Sequence, residues 1–394
     1  MILDEVLSFI LKNIKSPPKQ ETVSVKELCG RILANSLKSN LNIPPFDNSQ
    51  VDGYAVNSEH FVMNVPVTVS QRITAGSNPF ELEHSSAARI FTGAPIPRNS
   101  DAVVMQEDVE ILNEKVLFKS RIYSGQNVRK KGADLRENQI FFHKGRLLSA
   151  ADVGMCASVG LKEFQVFEKL KIGVFSSGDE LKQPGEKLSA GQIYDSNRPM
   201  ILSLVKSLGL KTLDMGCLPD DLVQTTQLLY EASKKVDIIL TCGGVSVGEE
   251  DHIKDAVEKL GSIKLWKIKI KPGKPFAFGF IGKTAFMGMP GNPVSAWVTF
   301  ALLCRPFIIK SAGGSHFSPQ PLTIESDFEW NKSNDRQEFL RGKVNNDGKL
   351  ELFNNQNSQI LSSICFSEGL IEIPIKTFVS KGDKLNYYPF SMIA

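Results

Sequence analysis

Glycines and carboxylates are concentrated in one short stretch in the middle of the chain. Residues 243–251 contain three glycines and three acids, namely Gly243, Gly244, Gly248, Glu249, Glu250 and Asp251. Glycines allow the tight turns that bring backbone N–H groups close to an anion. Carboxylates beside a phosphate site usually mean that a divalent cation lies between them. The stretch therefore predicts a phosphate cradle with a cation, although helix-capping acids in a plain strand-to-helix turn give the same pattern.

Lysines alternate with apolar residues shortly after this stretch, between residues 263 and 271. Strict alternation predicts one strand with two different faces. The polar face consists of Lys267, Lys269 and Lys271. Such a row is typical of a solvated strand face. Here, however, it leads into a Pro-Gly-Lys-Pro turn that carries Lys274, and we therefore expect the row to bind an anion.

The elements around these residues alternate between strand and helix. Strands are predicted at 171–176, 211–217 and 236–241, and helices begin near Ser196 and Leu222. This alternation predicts a mainly parallel sheet with helices on both faces. Ligands of such sheets bind at the carboxyl ends of the strands. The loops after residues 176 and 241 are thus expected to face one crevice.

The remaining chain favours three further domains. Leu3 to Ile14 has helical periodicity, and a capping-box pattern at Ser24 predicts a second short helix that ends at Gly30. Short alternating strands then indicate a β domain inserted into this helical region, and further strands follow residue 313. The predicted domains are a helical domain at 1–45 with 141–168, an inserted β domain at 46–140, a central α/β domain at 169–312 and a C-terminal β domain at 313–394.

Composition excludes several classes of protein. The 394 residues are 42% hydrophobic and 23% charged, which is typical of a soluble globular protein. A net charge of +3 suits small anionic ligands better than nucleic acid, for which clustered basic stripes are expected. The six cysteines form no C-x-x-C pair, which argues for a reducing cytoplasm and against zinc ribbons. The apolar run 294–304 is too short to span a membrane, so no membrane partner is expected.

Seven motifs follow one another between about residues 40 and 345. They are Pro-Pro-Phe-Asp-Asn-Ser-Gln-Val-Asp-Gly-Tyr-Ala at 44–55, Thr-Gly-Ala-Pro-Ile-Pro at 92–97, Gly-Ala-Asp-Leu at 132–135, Ser-Ser-Gly-Asp-Glu-Leu at 176–181, Gly-Gly-Val-Ser-Val-Gly-Glu-Glu-Asp at 243–251, Lys-Pro-Gly-Lys-Pro at 271–275 and Met-Pro-Gly-Asn-Pro-Val-Ser at 289–295. This ordered set closely resembles the molybdopterin molybdenumtransferase family, called MoeA in bacteria and the E domain of gephyrin in animals. Residues 365–368, which read Cys-Phe-Ser-Glu, depart from the serine motif of that family.

The resemblance implies an elongated four-part subunit that forms a homodimer. Its α/β domain would be of the three-layer, molybdopterin-binding type, and its C-terminal domain would be barrel-like. The implied reaction inserts molybdate into adenylated molybdopterin and releases AMP, with Mg²⁺ as the divalent cation. Other enzymes of the molybdenum cofactor are further expected partners.

The resemblance also assigns roles by motif. The implied catalytic residues are Asp52, Thr92, Asp134, Glu180 and Asp251. The implied metal ligands are Glu180, Asp220 and Asp251. The residues implied to bind the pterin nucleotide or molybdate are Ser176, Gly178, Asp220, Gly243, Gly244, Ser246, Gly248, Lys267, Lys271, Lys274, Pro290, Asn292, Pro293, Ser295 and Arg341. Asp52 or Asp134 would alternatively bind pterin amino groups, and the sequence does not separate these roles.

Two other functions fit parts of the same pattern. A molybdopterin adenylyltransferase would resemble the 170–310 region, but it would not need the N-terminal motifs or the C-terminal domain. A non-catalytic dimeric scaffold would need none of the acidic and lysine motif residues that this chain retains. The transferase interpretation uses all of them.

Overall fold

The computed structural model describes residues 1–15, 17–245, 252–315 and 318–394. These residues divide into two compact units. The first unit contains Met1–Asn35, Lys144–Ser149 and Glu163–Ala394, and the second contains Ser36–His143 and Ala150–Lys162. The predicted division into four domains is finer than this and stays a prediction.

A six-stranded sheet forms the centre of the first unit. Its strands, in spatial order, are Lys211–Leu218, Lys171–Ser177, Ile238–Cys242, Thr284–Met289, Pro275–Ile281 and Gly261–Lys267. The first four strands pair in parallel, and Pro275–Ile281 pairs antiparallel with both of its neighbours. Lys171–Ser177, Ile238–Cys242 and Thr284–Met289 are almost wholly buried, as expected where helices cover both faces of a sheet, whereas the edge strand Lys211–Leu218 is mostly half-buried.

Helices pack on both faces of this central sheet. One face is covered by Leu3–Lys12, Asn197–Ser207, Pro293–Thr299 and Arg305–Ser311, and the other by Leu222–Ser233 and His252–Leu260. A π-helical turn, Phe300–Cys304, joins two of them into a nineteen-residue apolar helix, Pro293–Ser311. This helix is long and apolar enough to cross a membrane, but it is 83% buried within the fold, as in the core of a soluble protein.

The predicted single strand over residues 263–271 is wrong, because the structure contains two strands there. Gly261–Lys267 belongs to the central sheet, whereas Ile270–Lys271 pairs in parallel with Gln337–Val344 of a different sheet. The break occurs because the Ile268 N–H donates to the Lys274 carbonyl at 3.1 Å, across the turn that follows. The alternation of burial was predicted correctly, since Ile268 and Ile270 are buried.

A curled sheet forms the C-terminal part of the first unit. Its strands are Ile270–Lys271, Gln337–Val344, Gly369–Ile373, Lys384–Pro389 and Leu322–Glu325, and Leu350–Leu352 also pairs with Gln337–Val344. A bridge between Ser326 and Leu350 brings its two sides together. Short helices lie at Ser362–Cys365 and Phe390–Ile393. The curvature encloses a small apolar core that includes Leu340, Ile371 and Tyr387.

Shorter elements complete the first unit. Gln20–Ser24 pairs with Glu163–Phe167, and Leu181–Lys182 pairs with Ile193–Tyr194. The predicted helix after Ser24 is only a 3₁₀ turn, Val25–Glu27, although its capping box forms. The helix does not continue because the Gly30 N–H donates to the Leu148 carbonyl, which starts a strand-like pairing of residues 30–33 with 146–148.

The second unit is built on another six-stranded sheet. Its strands are Ala102–Met105, Gly53–Val56, Ser86–Ile90, Val67–Ile73, Lys115–Phe118 and Val109–Leu112. Two small pairs join Asn48–Ser49 to Val128–Arg129 and Leu37–Lys38 to Ile140–Phe142. A 3₁₀ turn lies at Gln106–Asp108 and a helix at Ala150–Ser158. The unit thus has its own β fold, as the short alternating strands predict.

Replacing Phe278 by Ala should destabilise the first unit strongly. Phe278 is fully buried and makes edge contacts with Phe9, Phe280 and Phe307. Truncation would leave a cavity that costs about 3–5 kcal/mol. Chemical denaturation should show this loss, whereas Phe378→Ala, at a side chain 61% exposed, should change the free energy of unfolding by less than about 0.5 kcal/mol.

Candidate active site

One large cleft, with a volume of about 1260 Å³, lies within the first unit. The carboxyl ends of the central strands supply one part of its lining, including Ser177, Glu180 and Cys242. The C-terminal sheet supplies another part, and it includes Glu338 and Arg341. The turn at residues 271–275 and the loop at 290–295 lie between them. The cleft therefore lies where ligands of open α/β sheets bind.

The lining carries more positive than negative charge. Its cations are Lys271, Lys274, Lys332, Arg336 and Arg341. Its carboxylates are Glu180, Asp195 and Glu338. Concave sites lined mainly by one sign of charge concentrate ligands of the opposite sign. The cleft is therefore suited to an anionic ligand.

Arg341 is a cation that the protein buries without a matching carboxylate. Its side chain is 1% exposed. The guanidinium donates to Ser363 Oγ at 3.1 Å and to the carbonyls of Phe339 and Asn357 at 3.3 Å. Within the described ranges, no carboxylate lies at ion-pair distance from it. A buried charge without a counter-ion is costly, so this position favours an anion from outside the chain.

Burial lowers the pKa of Arg341 to about 10. That value still lies well above neutral pH, so the guanidinium keeps its charge and its planar set of donors. Such a group recognises tetrahedral and planar oxyanions through paired hydrogen bonds. Arg341 can thus bind an oxyanion without a change in its protonation state.

The cleft also contains a charge pair between its two sides. Lys271 Nζ lies 2.6 Å from Glu338 Oε1. The Glu338 side chain is only 2% exposed, whereas that of Lys271 is 42% exposed. The Lys274 ammonium, by contrast, is exposed and forms no ion pair with the described residues. Among the motif cations that line the cleft, Lys274 and Arg341 are therefore the two without an ion-pair partner in the described residues.

Glu180 takes its position from the glycine two residues before it. The Glu180 carboxylate folds back over Gly178, whose φ is +135°. A Cβ at Gly178 would lie 2.3 Å from Glu180 Oε2. Any side chain at 178 would therefore displace this carboxylate. The next motif acid along the chain, Asp220, lies near the same loop, because its N–H donates to Asp179 Oδ1 at 3.4 Å.

The glycine pair Gly243 and Gly244 brings the end of the third predicted strand against Ser177. Their φ angles are +94° and +63°. A Cβ on Gly243 would lie 2.9 Å from the Ser177 carbonyl oxygen, and one on Gly244 would lie 2.3 Å from Ile253 Cδ1. Both positions need glycine for their backbone angles and for space. The two loops that the sequence places at one crevice therefore do meet.

The second unit brings three of the predicted loops together. Thr92 donates to Asp52 Oδ1 from its N–H and from its hydroxyl, both at 2.8 Å. These bonds lower the pKa of Asp52, first through the Thr92 backbone and then through its side chain. Asp47 links the loops further, since its carboxylate accepts the Lys131 N–H at 2.8 Å and its carbonyl accepts the Ile96 N–H.

Comparisons with known proteins agree with this architecture. Family models match three consecutive regions: the MoeA N-terminal region (domain I and II) at residues 1–160, a probable molybdopterin binding domain at 173–310 and the MoeA C-terminal region (domain IV) at 323–390. The molybdopterin molybdenumtransferase of Haemophilus influenzae is 37% identical over 401 residues, which cover 99% of both chains. The chain belongs to the molybdopterin molybdenumtransferase family. The resemblance drawn from the motifs is thereby confirmed.

Other members of the family extend this result. The molybdopterin molybdenumtransferase of a Nostoc species is 31% identical over 95% of this chain and 89% of its own. The solved structure of a Pyrococcus horikoshii molybdopterin biosynthesis MoeA protein is 28% identical, covers 99% of both chains and has a TM-score of 0.84. The protein is thus an enzyme of molybdenum cofactor biosynthesis with a multidomain α/β and β fold.

Most motif residues of the molybdenumtransferase family that lie in the first unit are at the cleft. The residues of this set that line it are Glu180, Lys271, Lys274, Pro290, Asn292, Pro293, Ser295 and Arg341. Gly178, Gly243 and Gly244 shape the adjoining loops. Ser246, Gly248 and Asp251 lie outside the described residues, so the complete cradle and the full set of metal ligands stay predictions.

Six of the family positions lie elsewhere, including Asp52 and Thr92 of the second unit. Ser176 is fully buried and accepts a hydrogen bond from Arg198 at 3.2 Å. Asp220 and Lys267 are exposed and are not among the residues that line the cleft. Asp134 is an exposed residue of the second unit, and its N–H donates to the Ile43 carbonyl. Lys267 was expected on the same strand face as Lys271, and the break at Ile268 separates them.

Sequence reasoning missed several residues of this molybdenumtransferase cleft. The missed lining residues are Asp195, Trp330, Glu338, Gln356, Asn357 and Ser358. Arg198 and Ser363 were also missed; they do not line the cleft but contact Asp195 and Arg341, which do. Glu338 directly precedes the apolar pair Phe339 and Leu340 in the strand Gln337–Val344, and an acid next to apolar strand residues was the available signal. The run Asn-Asn-Gln-Asn-Ser-Gln at 354–359 is a second signal, because such a polar stretch next to a strand commonly forms a ligand-binding loop. Ser363 supplies a serine at Arg341 two residues before the altered 365–368 segment.

Replacing Gly178 by Ala should remove Glu180 from its position while the fold persists. The new Cβ would collide with the end of a flexible side chain, which can turn away at little cost in stability. Activity that depends on a divalent cation should then fall as far as in Glu180→Ala, and steady-state assays over a Mg²⁺ titration would measure it.

Gly185→Ala is the matched control for this variant. Gly185 also has a positive φ, +97°, but a Cβ there would have no neighbour within 4 Å. Both variants carry a similar backbone strain of about 1–2 kcal/mol, and only the first displaces Glu180. Equal activity of the two variants would contradict a role for the position of Glu180.

Proposed function

We propose that this protein inserts molybdate into adenylated molybdopterin and releases AMP in a reaction that depends on a divalent cation. The observation that carries the proposal is the buried guanidinium of Arg341, which lines an anion-favouring cleft and has no carboxylate partner in the part of the chain that the structure describes. The motifs at 271–275 and 289–295 line the same cleft. The names of the relatives supply the identity of the reaction.

Molybdate is a tetrahedral dianion, and three side chains of the cleft suit it. Arg341 would donate hydrogen bonds to its oxygens, and Lys274 would add a second positive charge. Ser295 would donate from its hydroxyl; it lies 4% exposed in the first turn of the helix Pro293–Thr299. Asn292 and Ser358 are bonded to each other at 3.1 Å and would hold this side of the cleft in place.

The pterin nucleotide carries phosphates, and the loops at the strand ends would bind them. Backbone N–H groups of the 243–248 loop would hold the phosphate charge together with lysines. The family resemblance implies that the pair Lys267 and Lys271 serves the pterin nucleotide or molybdate, and it does not separate the two. Asp52 and Asp134 would bind pterin amino groups, or act on the reacting groups. The low pKa of Asp52 keeps it a carboxylate, and therefore an acceptor, at neutral pH.

Mg²⁺ fits the acids of this site. Glu180 and Asp220 are oxygen donors on neighbouring loops, and the Asp220 N–H bond to Asp179 brings these loops together. Hard oxygen ligands suit Mg²⁺, and together with Asp251 they would hold it. When bound, the cation would neutralise phosphate charge on the nucleotide. Among the described residues no cluster of three or more metal-binding side chains occurs, and Asp251, the third ligand that the family resemblance implies, lies outside them.

We infer further that the enzyme is a cytoplasmic homodimer of four-part subunits. The parts would be the N-terminal region at 1–45 with 141–168, the inserted β domain at 46–140, a three-layer molybdopterin-binding domain at 169–312 and a barrel-like domain at 313–394. Each active site would combine the cleft of one subunit with the Asp52–Thr92 loops of its partner. Other molybdenum-cofactor enzymes would deliver the substrate and receive the product.

Release of AMP from adenylated molybdopterin tests the proposed reaction. AMP should appear only when molybdate and Mg²⁺ are both present, because insertion and release belong to one reaction. Arg341→Met should raise the KM for molybdate by at least about tenfold, as expected when a charged hydrogen-bond partner is lost. Arg121→Met, at an exposed side chain of the second unit, should leave the KM unchanged.

Two outcomes of that assay would select the other functions. Formation of adenylated molybdopterin from ATP, without AMP release on addition of molybdate, would identify an adenylyltransferase. If a folded dimer catalyses neither reaction, the remaining function is that of a non-catalytic scaffold. Either result would contradict the proposed insertion of molybdate.

Mixed dimers test the shared site. Asp52→Ala and Glu180→Ala chains should each be inactive alone, but a dimer that contains one of each has one intact site. Refolded together with random pairing, about half of the dimers are mixed, and activity should return to roughly a quarter of wild type. Mixed dimers that form, yet are no more active than either variant alone, would show that each site is built within one subunit.

A further inference from the structure

We propose that Lys271 acts on the oxyanion site through Glu338 and not by touching the oxyanion. In this proposal, which rests on the proposed function, the Lys271–Glu338 ion pair is a positioning device. It holds the two sides of the cleft at a fixed separation and neutralises a buried carboxylate that would otherwise oppose an anion. Glu338 is then a positioning residue for the site.

Glu338 is a buried carboxylate whose partners all come from residues that line or adjoin the cleft. Its Oε1 accepts from Lys271 Nζ at 2.6 Å and from Asn334 Nδ2 at 2.8 Å, and its Oε2 accepts from Trp330 Nε1 at 2.9 Å. Two of the three donors are neutral. Lys271 is the only cation bonded to it within the described residues. A carboxylate that is 2% exposed needs this cation, since an unpaired buried charge is strongly unfavourable.

The strand pairing explains why this ion pair sets the geometry of the site. Ile270–Lys271 runs parallel to Gln337–Val344, with Ile270 beside Gln337 and Lys271 beside Glu338. The parallel pairing places Lys271 and Glu338 side by side, after which the first segment turns at residues 271–275 and the second continues as a strand. Three residues further along, they reach Lys274 and Arg341, and both of these residues line the cleft. The pair therefore fixes the starting points of the two segments that carry the oxyanion-binding cations.

The charges of the cleft are consistent with this division of roles. The charge of Lys271 is matched by Glu338, whereas neither the Lys274 ammonium nor the Arg341 guanidinium has a carboxylate partner among the described residues. An anion can contact Lys274 and Arg341 without breaking an existing ion pair. Contact with Lys271 would instead compete with a buried carboxylate at 2.6 Å.

Loss of Lys271 alone should therefore damage the site through the charge that it leaves behind. An unpaired Glu338 would repel an incoming oxyanion. It would also attract Lys274 or Arg341 away from their positions. If Glu338 is neutralised at the same time, neither effect remains. The two substitutions should then be strongly non-additive, as is usual for residues in direct contact.

The test is a double-mutant cycle of Lys271→Met, Glu338→Gln and the double variant. Calorimetric titration with molybdate at constant ionic strength measures affinity, and AMP release measures the KM for molybdate and kcat. We expect Lys271→Met to weaken molybdate binding by about tenfold or more and to raise the KM correspondingly. The double variant should bind within about threefold of wild type. Lys271→Arg keeps the charge beside Glu338, so its molybdate affinity should stay within about threefold of wild type.

A matched ion pair away from the cleft serves as the control. Lys343 Nζ lies 3.2 Å from Glu351 Oε1, and both side chains are nearly half exposed. Lys343→Met, Glu351→Gln and their combination should leave molybdate affinity unchanged, because exposed pairs contribute little. Thermal unfolding of every variant separates loss of the fold from loss of the site.

The possible results are distinct. A double variant that binds molybdate as weakly as Lys271→Met would show that Lys271 contacts the oxyanion. A Lys271→Met variant that binds molybdate like wild type would show that the ion pair has no role. Either result overturns the inference. If Lys271→Met does not fold, the double variant alone decides, since direct contact predicts its loss of affinity and positioning predicts its retention. Wild-type protein that neither binds molybdate nor releases AMP would instead overturn the proposed function, and the inference with it.

Discussion

The cleft exists because the chain changes sheets between Lys267 and Ile270. The first of these residues ends an edge strand of the central sheet, and the second begins an edge strand of the C-terminal sheet. Ile268 and Ile270 are both buried, so the short connection is held by packing on the first unit's core. This connection fixes the C-terminal strand Gln337–Val344 beside the carboxyl ends of the central strands. Arg341 reaches the cleft only because that strand is held there.

Charge then gives the cleft its function. The fold buries one guanidinium without a carboxylate partner among the described residues and buries one carboxylate with a lysine partner. Burying the unpaired guanidinium costs free energy that a bound oxyanion can offset. The buried carboxylate is already paired with its lysine, so it needs no ligand. A site that binds a small dianion needs positive charge that is held rigidly and is not already neutralised. Arg341 and Lys274 meet this requirement, and the Lys271–Glu338 pair helps to set the separation between them.

The sequence predicted the parts of the structure that local pattern determines. The central strands, the helices Asn197–Ser207 and Leu222–Ser233 and the meeting of two glycine loops follow from periodicity and from the rule for strand ends. The break at Ile268 could not be predicted, because alternation of burial is the same whether a strand continues in one sheet or moves to another. The second predicted helix failed for a similar reason, since the pairing of Gly30 with Leu148 depends on residues far along the chain.

The residues of the candidate site also divide into those that local sequence indicates and those that depend on distant partners. Motifs located Glu180, Lys274, Ser295 and Arg341, because each lies in a short run with recognisable composition. Glu338 was missed, since an acid next to the apolar pair Phe339 and Leu340 does not indicate a function until its partner at Lys271 is known. Ser363 was missed because the segment around it departs from the expected motif, and only its hydrogen bond to Arg341 places it at the site.

The central claim is that the buried guanidinium binds the oxyanion substrate. Crystals soaked in tungstate, a heavier tetrahedral dianion, would test this most directly through the anomalous scattering of tungsten. We expect a strong anomalous peak within hydrogen-bond distance of the Arg341 guanidinium, with Lys274 and Ser295 on its other sides and the Lys271–Glu338 pair intact. A peak bound elsewhere in the cleft, with no contact to Arg341, would contradict it.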